Sequence, residues 1–135
     1  MPATQGRLHN KIAIVTGAGT IDDGWGNGKA IAVTFAREGA TVVCVDRRLV
    51  AAESTSALIQ KDGGQSIALA TDVSREDEVQ GLINDVISKF GHIDVLVNNV
   101  GVGIAKPTVE MSLKEWELVQ RINLTSMFLT IRGVL

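Results

Sequence analysis

The sequence predicts an α/β fold in which helices cover both faces of a parallel sheet. Short runs rich in β-branched residues alternate with longer helix-like stretches along the chain. The runs are apolar on consecutive residues, which is typical of strands buried on both faces, and each connection is long enough for a helical crossover. Apolar residues make up 45% of the sequence, which favours a packed core over disorder. We therefore expect the element order βαβαβαβα within a single domain over residues 1–135.

Four strands and four helices follow from this pattern in chain order. The strands are expected at residues 11–16, 41–46, 66–71 and 93–99, and the helices at 27–38, 49–61, 74–90 and from 112 to the end. The third helix has an apolar stripe at three- and four-residue spacing, formed by Val79, Leu82, Ile83, Val86, Ile87 and Phe90. Ser74 with Asp77, and Ser112 with Glu115, have the spacing of capping boxes at the starts of the third and fourth helices.

The composition argues against several functions. Lysine and arginine number 13 and aspartate and glutamate number 15, so the chain lacks the cationic excess that binding to nucleic acid needs. No apolar run approaches the ~20 residues of a membrane helix, and we expect neither a secretory leader nor a membrane partner. The single cysteine, Cys44, excludes an internal disulfide and favours a reducing, cytoplasmic location. We expect Cys44 to be a buried thiol rather than a nucleophile, and we predict no metal site.

A glycine-rich segment follows the first strand and reads TGAGTIDDGWGNG over residues 16–28. Glycines at such a turn allow positive φ and let backbone amides approach a diphosphate, while the following helix adds partial positive charge at its amino end. A glycine-rich turn without a ligand is the alternative. A nucleoside-triphosphate loop does not fit, because Ala30 stands where Ser or Thr is required and Asp23 replaces the first glycine of that motif.

Asp46 ends the second strand, about 20 residues after Gly26, which is the spacing of a carboxylate that accepts hydrogen bonds from adenosine ribose hydroxyls. The same carboxylate would repel a 2′-phosphate, so Asp46 favours NAD over NADP. The guanidinium of Arg47 beside it would bind that phosphate, so NADP remains an alternative cofactor. A solvated Asp–Arg pair at a strand end is the alternative.

Four segments in chain order resemble the amino-terminal half of a short-chain dehydrogenase/reductase, from about residue 6 to residue 135. They are the glycine segment, similar to that family's TGxxxGxG loop, Asp72-Val73 after the third strand, NNVG at 98–101 and RINLTSMF at 121–128. The resemblance implies a Rossmann-type doubly wound parallel sheet with strand order 3-2-1-4, truncated after the fourth strand and fourth helix. It also implies an NAD(P)-dependent oxidoreductase that transfers hydride between a nicotinamide cofactor and an alcohol or ketone.

The resemblance also implies roles for individual residues. Asp72 would accept a bond from the adenine amino group, Val73 would lie against the ring, and Asn99 with Gly101 would line a cofactor ribose. Asn123 would interrupt helical hydrogen bonding and position a water in a proton relay, as the part of the catalytic site within this chain. The cofactor-binding residues expected from spacing and resemblance together are Gly17, Gly19, Trp25, Gly26, Asn27, Gly28, Asp46, Arg47, Asp72, Val73, Asn99 and Gly101.

The sequence departs from the family pattern at residues 20–25, which form a longer spacer than usual between the glycines. This extension carries Asp22 and Asp23, whose charges oppose a diphosphate unless they point to solvent. It also carries Trp25, which would either stack over the cofactor or anchor the loop.

The family's chemistry uses a serine and a Tyr-x-x-x-Lys motif after the fifth strand, and the sequence contains no tyrosine. We therefore expect weak NAD binding and no dehydrogenase turnover from this chain alone. It is either the cofactor half of an oxidoreductase with a small-molecule alcohol or carbonyl substrate, or a non-catalytic dinucleotide-binding module or regulatory subunit. The nucleotide sequence beyond codon 135 distinguishes these two. A flavodoxin-like mononucleotide binder is a third alternative, which the placement of Asp46 disfavours.

An apolar fourth strand without a further strand beside it, and apolar residues on the fourth helix, predict a homo-oligomer or an aggregation-prone chain. In related full-length enzymes the fourth helix contributes to a dimer interface, so the resemblance favours a homo-oligomer.

Overall fold

A four-stranded parallel sheet forms the centre of the structure. The computed structural model describes residues 6–22 and 24–135. The strands are β1 (Ile12–Thr16), β2 (Thr41–Asp46), β3 (Gln65–Ala70) and β4 (Val95–Val97), in the order β3-β2-β1-β4. The helices are α1 (Asn27–Arg37), α2 (Leu49–Lys61), α3 (Glu76–Phe90), α4 (Leu113–Gln120) and α5 (Ser126–Val134). Within the described ranges, no helix combines the length and the apolar character needed to cross a membrane.

Helices cover both faces of the sheet, as the consecutive apolar residues of the strands predict. The core on the side of α3 and α5 consists of Ile12, Ile14, Val43, Val45, Val73, Val79, Leu82, Ile83, Val86 and Leu129. The core on the side of α1 and α2 consists of Ala13, Val15, Ala18, Ala32, Val33, Ala40, Val42, Cys44, Ala52 and Ile59. Successive residues of β1 and β2 belong to opposite cores, which is the arrangement of a sheet buried on both faces. The predicted doubly wound α/β fold and its strand order are confirmed.

Cys44 lies in the middle of β2 and is completely buried. Burial raises the pKa of its thiol to about 12, because an apolar environment disfavours the charged thiolate. Since the thiolate is the nucleophilic form, the residue serves packing, and the prediction of a buried thiol is confirmed.

Strand β4 is shorter than the sequence predicts, and hydrogen bonds to side chains flank it on both sides. Before the strand, Asp94 Oδ2 accepts a hydrogen bond from the Ile12 amide at 2.8 Å. After it, the Asn99 amide donates to Thr16 Oγ1 at 3.1 Å. The expected span of 93–99 is therefore wrong at its margins, although the strand itself is present. Strand β3 lies one residue earlier than the expected span of 66–71.

The capping box predicted at the start of α4 is confirmed. Ser112 is the N-cap, its hydroxyl accepts from the Glu115 amide, and Glu115 Oε2 accepts from the Ser112 amide at 2.8 Å. These two reciprocal bonds satisfy amides that a helix start leaves without intrahelical partners.

The capping box predicted for Ser74 and Asp77 is wrong. Helix α3 begins at Glu76, and its N-cap is Arg75, which makes no side-chain capping bond. Ser74 is engaged elsewhere, because its amide and its hydroxyl both donate to Asp72 Oδ1, at 3.0 and 2.6 Å. Acidic residues in the first turn favour the amino end of α3 instead, through the helix dipole.

The predicted fourth helix is present as two α-helical segments, α4 and α5, joined by a π turn at Arg121–Thr125. A short 3₁₀ turn at Thr108–Glu110 precedes it. The π turn contains Asn123, so regular α-helical hydrogen bonding is interrupted where the family resemblance implies.

Helix α1 approaches the turn after β1 through two glycines. A Cβ atom on Gly28 would lie 2.0 Å from the Gly17 carbonyl oxygen and 2.5 Å from Asn99 Nδ2, which is closer than real Cβ atoms come to other heavy atoms. Gly17 has a φ of +62°, in the left-handed region that favours glycine. The amino end of α1 therefore reaches the end of β1 only because both positions lack side chains.

We expect Gly28→Ala to lower the free energy of unfolding by about 3 kcal/mol, the upper end of the range for overpacking, because the obstructing atom belongs to the backbone. Gly81→Ala is the matched control, since Gly81 is an exposed residue of α3 with open space around an added Cβ. Alanine there should raise the free energy of unfolding by about 0.5–1 kcal/mol through helix propensity. Urea denaturation measures both changes, and a Gly28→Ala chain as stable as the parent would contradict the close approach.

Candidate functional site

Two adjoining cavities open at the carboxyl ends of the strands, where parallel α/β sheets bind ligands. The first, here called the carboxylate cavity, has a volume of about 280 Å³. The second, here called the glycine cavity, has a volume of about 340 Å³. Gly17 and Asn99 line both cavities, so the two meet at the turn after β1.

The structure brings together the residues that the sequence predicts for cofactor binding. Those that line the carboxylate cavity are Gly17, Asp46, Arg47, Asp72, Val73, Asn99 and Gly101. Those that line the glycine cavity are Gly17, Gly19, Trp25, Gly26, Asn27, Gly28 and Asn99. They follow four different strands in the sequence, so their convergence is a property of the fold.

The Asp46 carboxylate lies between the glycine turn and the start of α2. Its Oδ2 accepts from the Gly19 amide at 3.2 Å, and its Oδ1 accepts from the Arg48 amide at 3.0 Å. Each carboxylate oxygen has two lone pairs, so both can accept a further hydrogen bond. The side chain faces the mouth of the turn and leaves acceptor capacity for a ligand in the carboxylate cavity.

The turn after β1 is fixed by side chains from other elements. Asn99 Nδ2 donates to the Gly17 carbonyl at 3.1 Å, and Thr55 of α2 donates to the Ala18 carbonyl at 2.7 Å. Thr16 Oγ1 donates to the Val97 carbonyl at 3.1 Å while it accepts from the Asn99 amide. The Gly17 and Ala18 carbonyls of the turn thus accept hydrogen bonds from side chains of the protein.

The amino end of α1 is suited to an anion. Its N-cap, Gly26, provides no side-chain cap, and the first turn carries no acidic residue. The first amides of any helix lack intrahelical acceptors and carry partial positive charge. Gly26, Asn27 and Gly28 line the glycine cavity, so these amides lie at a cavity that a diphosphate would occupy.

The extension between Gly19 and Gly26 is held by bonds within itself and to its neighbours. Asp22 Oδ1 accepts from the Gly24 amide at 2.9 Å, and Thr20 Oγ1 donates to the Asp22 carbonyl. The Asp22 carboxylate thus has a partner inside the extension. Asp23, the other acidic residue of concern, lies outside the described residues.

Two cations contact the ends of the extension. Arg48 Nη2 donates to the Thr20 carbonyl at 2.6 Å, and Lys29 Nζ donates to the Gly24 carbonyl at 3.2 Å. Lys29 Nζ also lies 5.1 Å from the centre of the Trp25 ring. The sequence did not reveal roles for Lys29 and Arg48, because their partners are carbonyls and a ring whose positions depend on the folded loop.

Asp72 and Val73 follow β3 at the far side of the carboxylate cavity. Asp72 Oδ1 is occupied by both donors of Ser74, and the Asp72 amide donates to Glu78 Oε2 at 2.7 Å. Val73 is buried and belongs to the core, so the pair joins the cavity wall to the start of α3.

Asn123 lies beside these cavities without lining either. Its Oδ1 accepts from the Val102 amide and its Nδ2 donates to the Val102 carbonyl, both at 2.8 Å. The π turn is therefore fastened to the segment after β4, which contains Gly101 at the cavity wall. Asn98, the neighbour of Asn99, accepts from Thr130 of α5 at 2.7 Å and ties the end of β4 to that helix.

A second tie holds the segment after β4 to α4. Lys106 Nζ lies 2.7 Å from Glu115 Oε1 in a partly exposed ion pair. The Lys106 ammonium, followed by the amide and hydroxyl of Ser112, lowers the pKa of the Glu115 carboxyl to about 2. The charged form of Glu115 therefore completes both the ion pair and the capping box.

The fold and these cavities define a Rossmann-type α/β protein, with a glycine-rich turn after its first strand and a carboxylate at the end of its second. A family model described as short chain dehydrogenase matches residues 11–135. The chain belongs to the short-chain dehydrogenase/reductase family, and the resemblance noted in the sequence is confirmed.

Named relatives and solved structures agree with this assignment. The chain is 42% identical over 122 residues to 7alpha-hydroxysteroid dehydrogenase of Escherichia coli K12, covering 90% of the chain and 46% of the relative. It is 38% identical over 128 residues to D-threitol dehydrogenase of Mycolicibacterium smegmatis, covering 95% of the chain and 47% of the relative.

Among solved structures, a short-chain dehydrogenase/reductase from Burkholderia xenovorans matches with a TM-score of 0.92 and 43% identity, over 96% of this chain and 51% of that one. A 7alpha-hydroxysteroid dehydrogenase solved with NADH and 7-oxo glycochenodeoxycholic acid matches with a TM-score of 0.87 and 41% identity, over 95% of this chain and 48% of that one. The chain spans about half the length of the relatives that it matches.

We expect Glu115→Gln to reduce thermal stability by a few degrees at neutral pH, because glutamine keeps an acceptor but loses the ion pair to Lys106. A carboxyl whose pKa is lowered on folding adds stability above its ordinary pKa of 4.5, and this contribution is lost as the pH falls towards about 2. The difference in melting temperature between parent and variant should therefore shrink across that pH range. Melting followed by circular dichroism at several pH values tests this, and a difference that does not vary with pH would contradict it.

Proposed function

We propose that the chain binds NAD(H) across the carboxylate and glycine cavities as the cofactor-binding domain of an oxidoreductase. The proposed reaction of the whole protein is hydride transfer between a nicotinamide and the carbon of a small-molecule alcohol or ketone. Family membership supports this reaction class, and so do the dehydrogenase names of the relatives. Residues 1–135 form one domain in this proposal, and its setting is the cytoplasm, with which the free Cys44 thiol is compatible.

The observation that carries the proposal is the placement of the Asp46 carboxylate. It accepts from a glycine-turn amide on one side and from the start of α2 on the other, and it faces the carboxylate cavity. The two hydroxyl groups of a ribose can each donate a hydrogen bond to such a carboxylate. A hydrogen bond to a charged acceptor contributes roughly 1.5–3 kcal/mol, which makes Asp46 the main determinant of sugar binding.

The proposed position of the diphosphate is the glycine cavity. The uncapped amides of α1 supply hydrogen-bond donors there. Because the glycines have no side chains, phosphate oxygens can approach these amides closely. The adenine side of the cofactor is proposed to lie in the carboxylate cavity, near Asp72 and Val73. Asn99 and Gly101, which follow β4, are proposed to line a cofactor ribose.

The proposal favours NAD over NADP. A 2′-phosphate would carry its negative charge to the neighbourhood of Asp46, where like charges repel. Arg47 lines the same cavity and would partly offset that repulsion, so we propose a preference rather than an exclusion.

Asn123 is proposed to support catalysis by holding a segment of the cavity wall in place. Its amide fastens the π turn to Val102, so the segment that walls the cavity has a fixed path. A water held near this turn for a proton relay remains a prediction of the family resemblance. The nicotinamide, when bound, would supply the hydride acceptor or donor.

Asp46→Ala is expected to weaken NAD binding by at least about tenfold, since 1.4 kcal/mol corresponds to a factor of ten. Asp46→Asn separates charge from shape: it keeps one acceptor oxygen and should weaken NAD binding less than alanine while improving binding of NADP. Asp85→Ala, on the exposed side of α3, is the control and should change neither affinity. Calorimetric titration with NAD and with NADP provides the measurement, and unchanged NAD affinity in Asp46→Ala would refute the assignment.

We also propose that the chain forms a homo-oligomer through the outer side of α4 and α5. The large apolar residues exposed on α4, the π turn and α5 are Leu113, Trp116, Leu118, Leu124, Met127, Phe128 and Ile131. Large exposed apolar patches mark interaction sites in soluble proteins, and the number of exposed apolar side chains in this part of the chain supports the proposal.

Light scattering coupled to size-exclusion chromatography should give a mass of at least two chains for the parent. Phe128→Ser with Trp116→Ser should shift the chain towards the monomer, because both side chains are more than half exposed and leave the core unchanged. A parent that elutes as a monomer with a sharp unfolding transition would exclude this arrangement.

A further inference from the structure

We propose that Lys29 and Arg48 are positioning residues that hold the Thr20–Trp25 extension as a wall of the glycine cavity, with the Trp25 ring placed to contact a bound dinucleotide. The inference rests on the proposed function for the identity of the ligand. The anchoring of the extension is a property of the chain without ligand and can be tested separately.

Lys29 provides the first anchor. It lies in the first turn of α1 and is only 7% exposed, although lysine is usually a surface residue. Its ammonium contacts two parts of the extension, the Gly24 carbonyl at 3.2 Å and the face of Trp25 at 5.1 Å. A cation over an indole ring is attracted by its quadrupole, and the attraction grows as both groups lose water.

Arg48 provides the second anchor, from the opposite end of the extension. Its guanidinium donates to the Thr20 carbonyl at 2.6 Å, while its own backbone amide donates to Asp46 Oδ1 at 3.0 Å. One residue therefore connects the extension to the carboxylate proposed to bind the ribose. The two anchors attach the extension to the two elements proposed to bind the cofactor, α1 and the turn after β2.

Between the anchors, two hydrogen bonds join described residues of the extension to one another. The Asp22 carboxylate accepts from the Gly24 amide, and the Asp22 carbonyl accepts from the Thr20 hydroxyl. An aspartate that bonds to a backbone amide two residues on stabilises a turn of its own segment. The described part of the extension therefore has internal hydrogen bonds in addition to its two anchors.

The held extension forms one side of the glycine cavity. Its cavity-lining residues are Thr20, Ile21, Asp22 and Trp25, opposite the glycines of the turn and of α1. Trp25 is 62% exposed even though Lys29 lies over its ring, so much of its surface is still available to a ligand. A rigid aromatic wall lowers the entropy lost on binding, which makes ligand affinity depend on residues that do not touch the ligand.

The test uses Trp116→Phe as the parent chain, which leaves Trp25 as the single tryptophan. Lys29→Met removes the charge and keeps most of the side-chain length, and Arg48→Met removes the guanidinium but not the backbone bond to Asp46. Lys89→Met is the matched control, because Lys89 also lies over a ring, that of Phe90 at 5.9 Å, at the exposed end of α3. Acrylamide quenching of Trp25 without ligand reports the anchoring, and titration with NADH, followed by Trp25 fluorescence and by calorimetry, reports binding.

We expect Lys29→Met to increase acrylamide quenching of Trp25 and to raise the Kd for NADH about three- to tenfold, the range of a partly desolvated cation–π contact. Arg48→Met should increase quenching and raise the Kd in the same direction, because it removes the hydrogen bond to the Thr20 carbonyl. Lys29→Arg should restore both values to within about twofold of the parent, because it returns the cation to the ring. Lys89→Met should change neither. Circular dichroism shows whether each variant is folded, and if Lys29→Met is not, Arg48→Met carries the test.

Two results would have different meanings. Unchanged quenching and unchanged Kd in folded Lys29→Met and Arg48→Met chains would overturn the inference while leaving the proposed function intact. A folded parent that does not bind NADH would instead refute the proposed function, and the quenching comparison would still decide whether the two cations anchor the extension.

Discussion

The close approach of α1 to the end of β1 is the constraint on which the rest of the site depends. The Gly28 position lies so near the Gly17 carbonyl that an added Cβ would be 2.0 Å from that oxygen. This contact brings the uncapped start of a helix to the carboxyl end of a central strand. From that position, the side chains that end β2 and follow β4 reach the same turn, and the two cavities form on either side of it.

The two cavities differ in whether backbone groups or charged side chains face a ligand. In the glycine cavity, the start of α1 offers backbone amides as hydrogen-bond donors, and their partial charges do not depend on pH. The carboxylate cavity is lined instead by the charged side chains of Asp46, Arg47 and Asp72. Backbone amides do not distinguish one diphosphate from another, so the proposed preference for one dinucleotide depends on the side chains.

Much of this arrangement could be predicted from the sequence because its determinants are local. Consecutive apolar residues predict strands buried on both faces, and the spacing from Gly26 to Asp46 places a carboxylate opposite the glycine turn. The capping box at Ser112 was predictable for the same reason, since its two residues are three positions apart. At Ser74 the same spacing predicted a capping box that is absent. Asp72 accepts hydrogen bonds from both the amide and the hydroxyl of Ser74, and the spacing rule takes no account of Asp72.

Long-range partners were beyond the reach of the sequence pattern. Lys29 follows a glycine motif and Arg48 follows an acidic strand end, and neither position indicates that its partner is a carbonyl of the extension. The length of β4 was overestimated for a related reason, since the side chains of Asp94 and Thr16 bind backbone amides next to the strand only once β1 and β4 lie side by side. These interactions depend on how loops pack, which one sequence does not reveal.

The π turn between α4 and α5 has a geometric consequence for the outer side of these helices. In an uninterrupted α-helix, residues 116 and 128 would be separated by about 120° around the axis. A π turn accommodates one additional residue, which advances the later segment by about one residue and reduces that angle to about 20°. Trp116 and Phe128 therefore project from the helix in nearly the same direction. The π turn that orients Asn123 towards Val102 thus also aligns two aromatic rings on the opposite side of the helix.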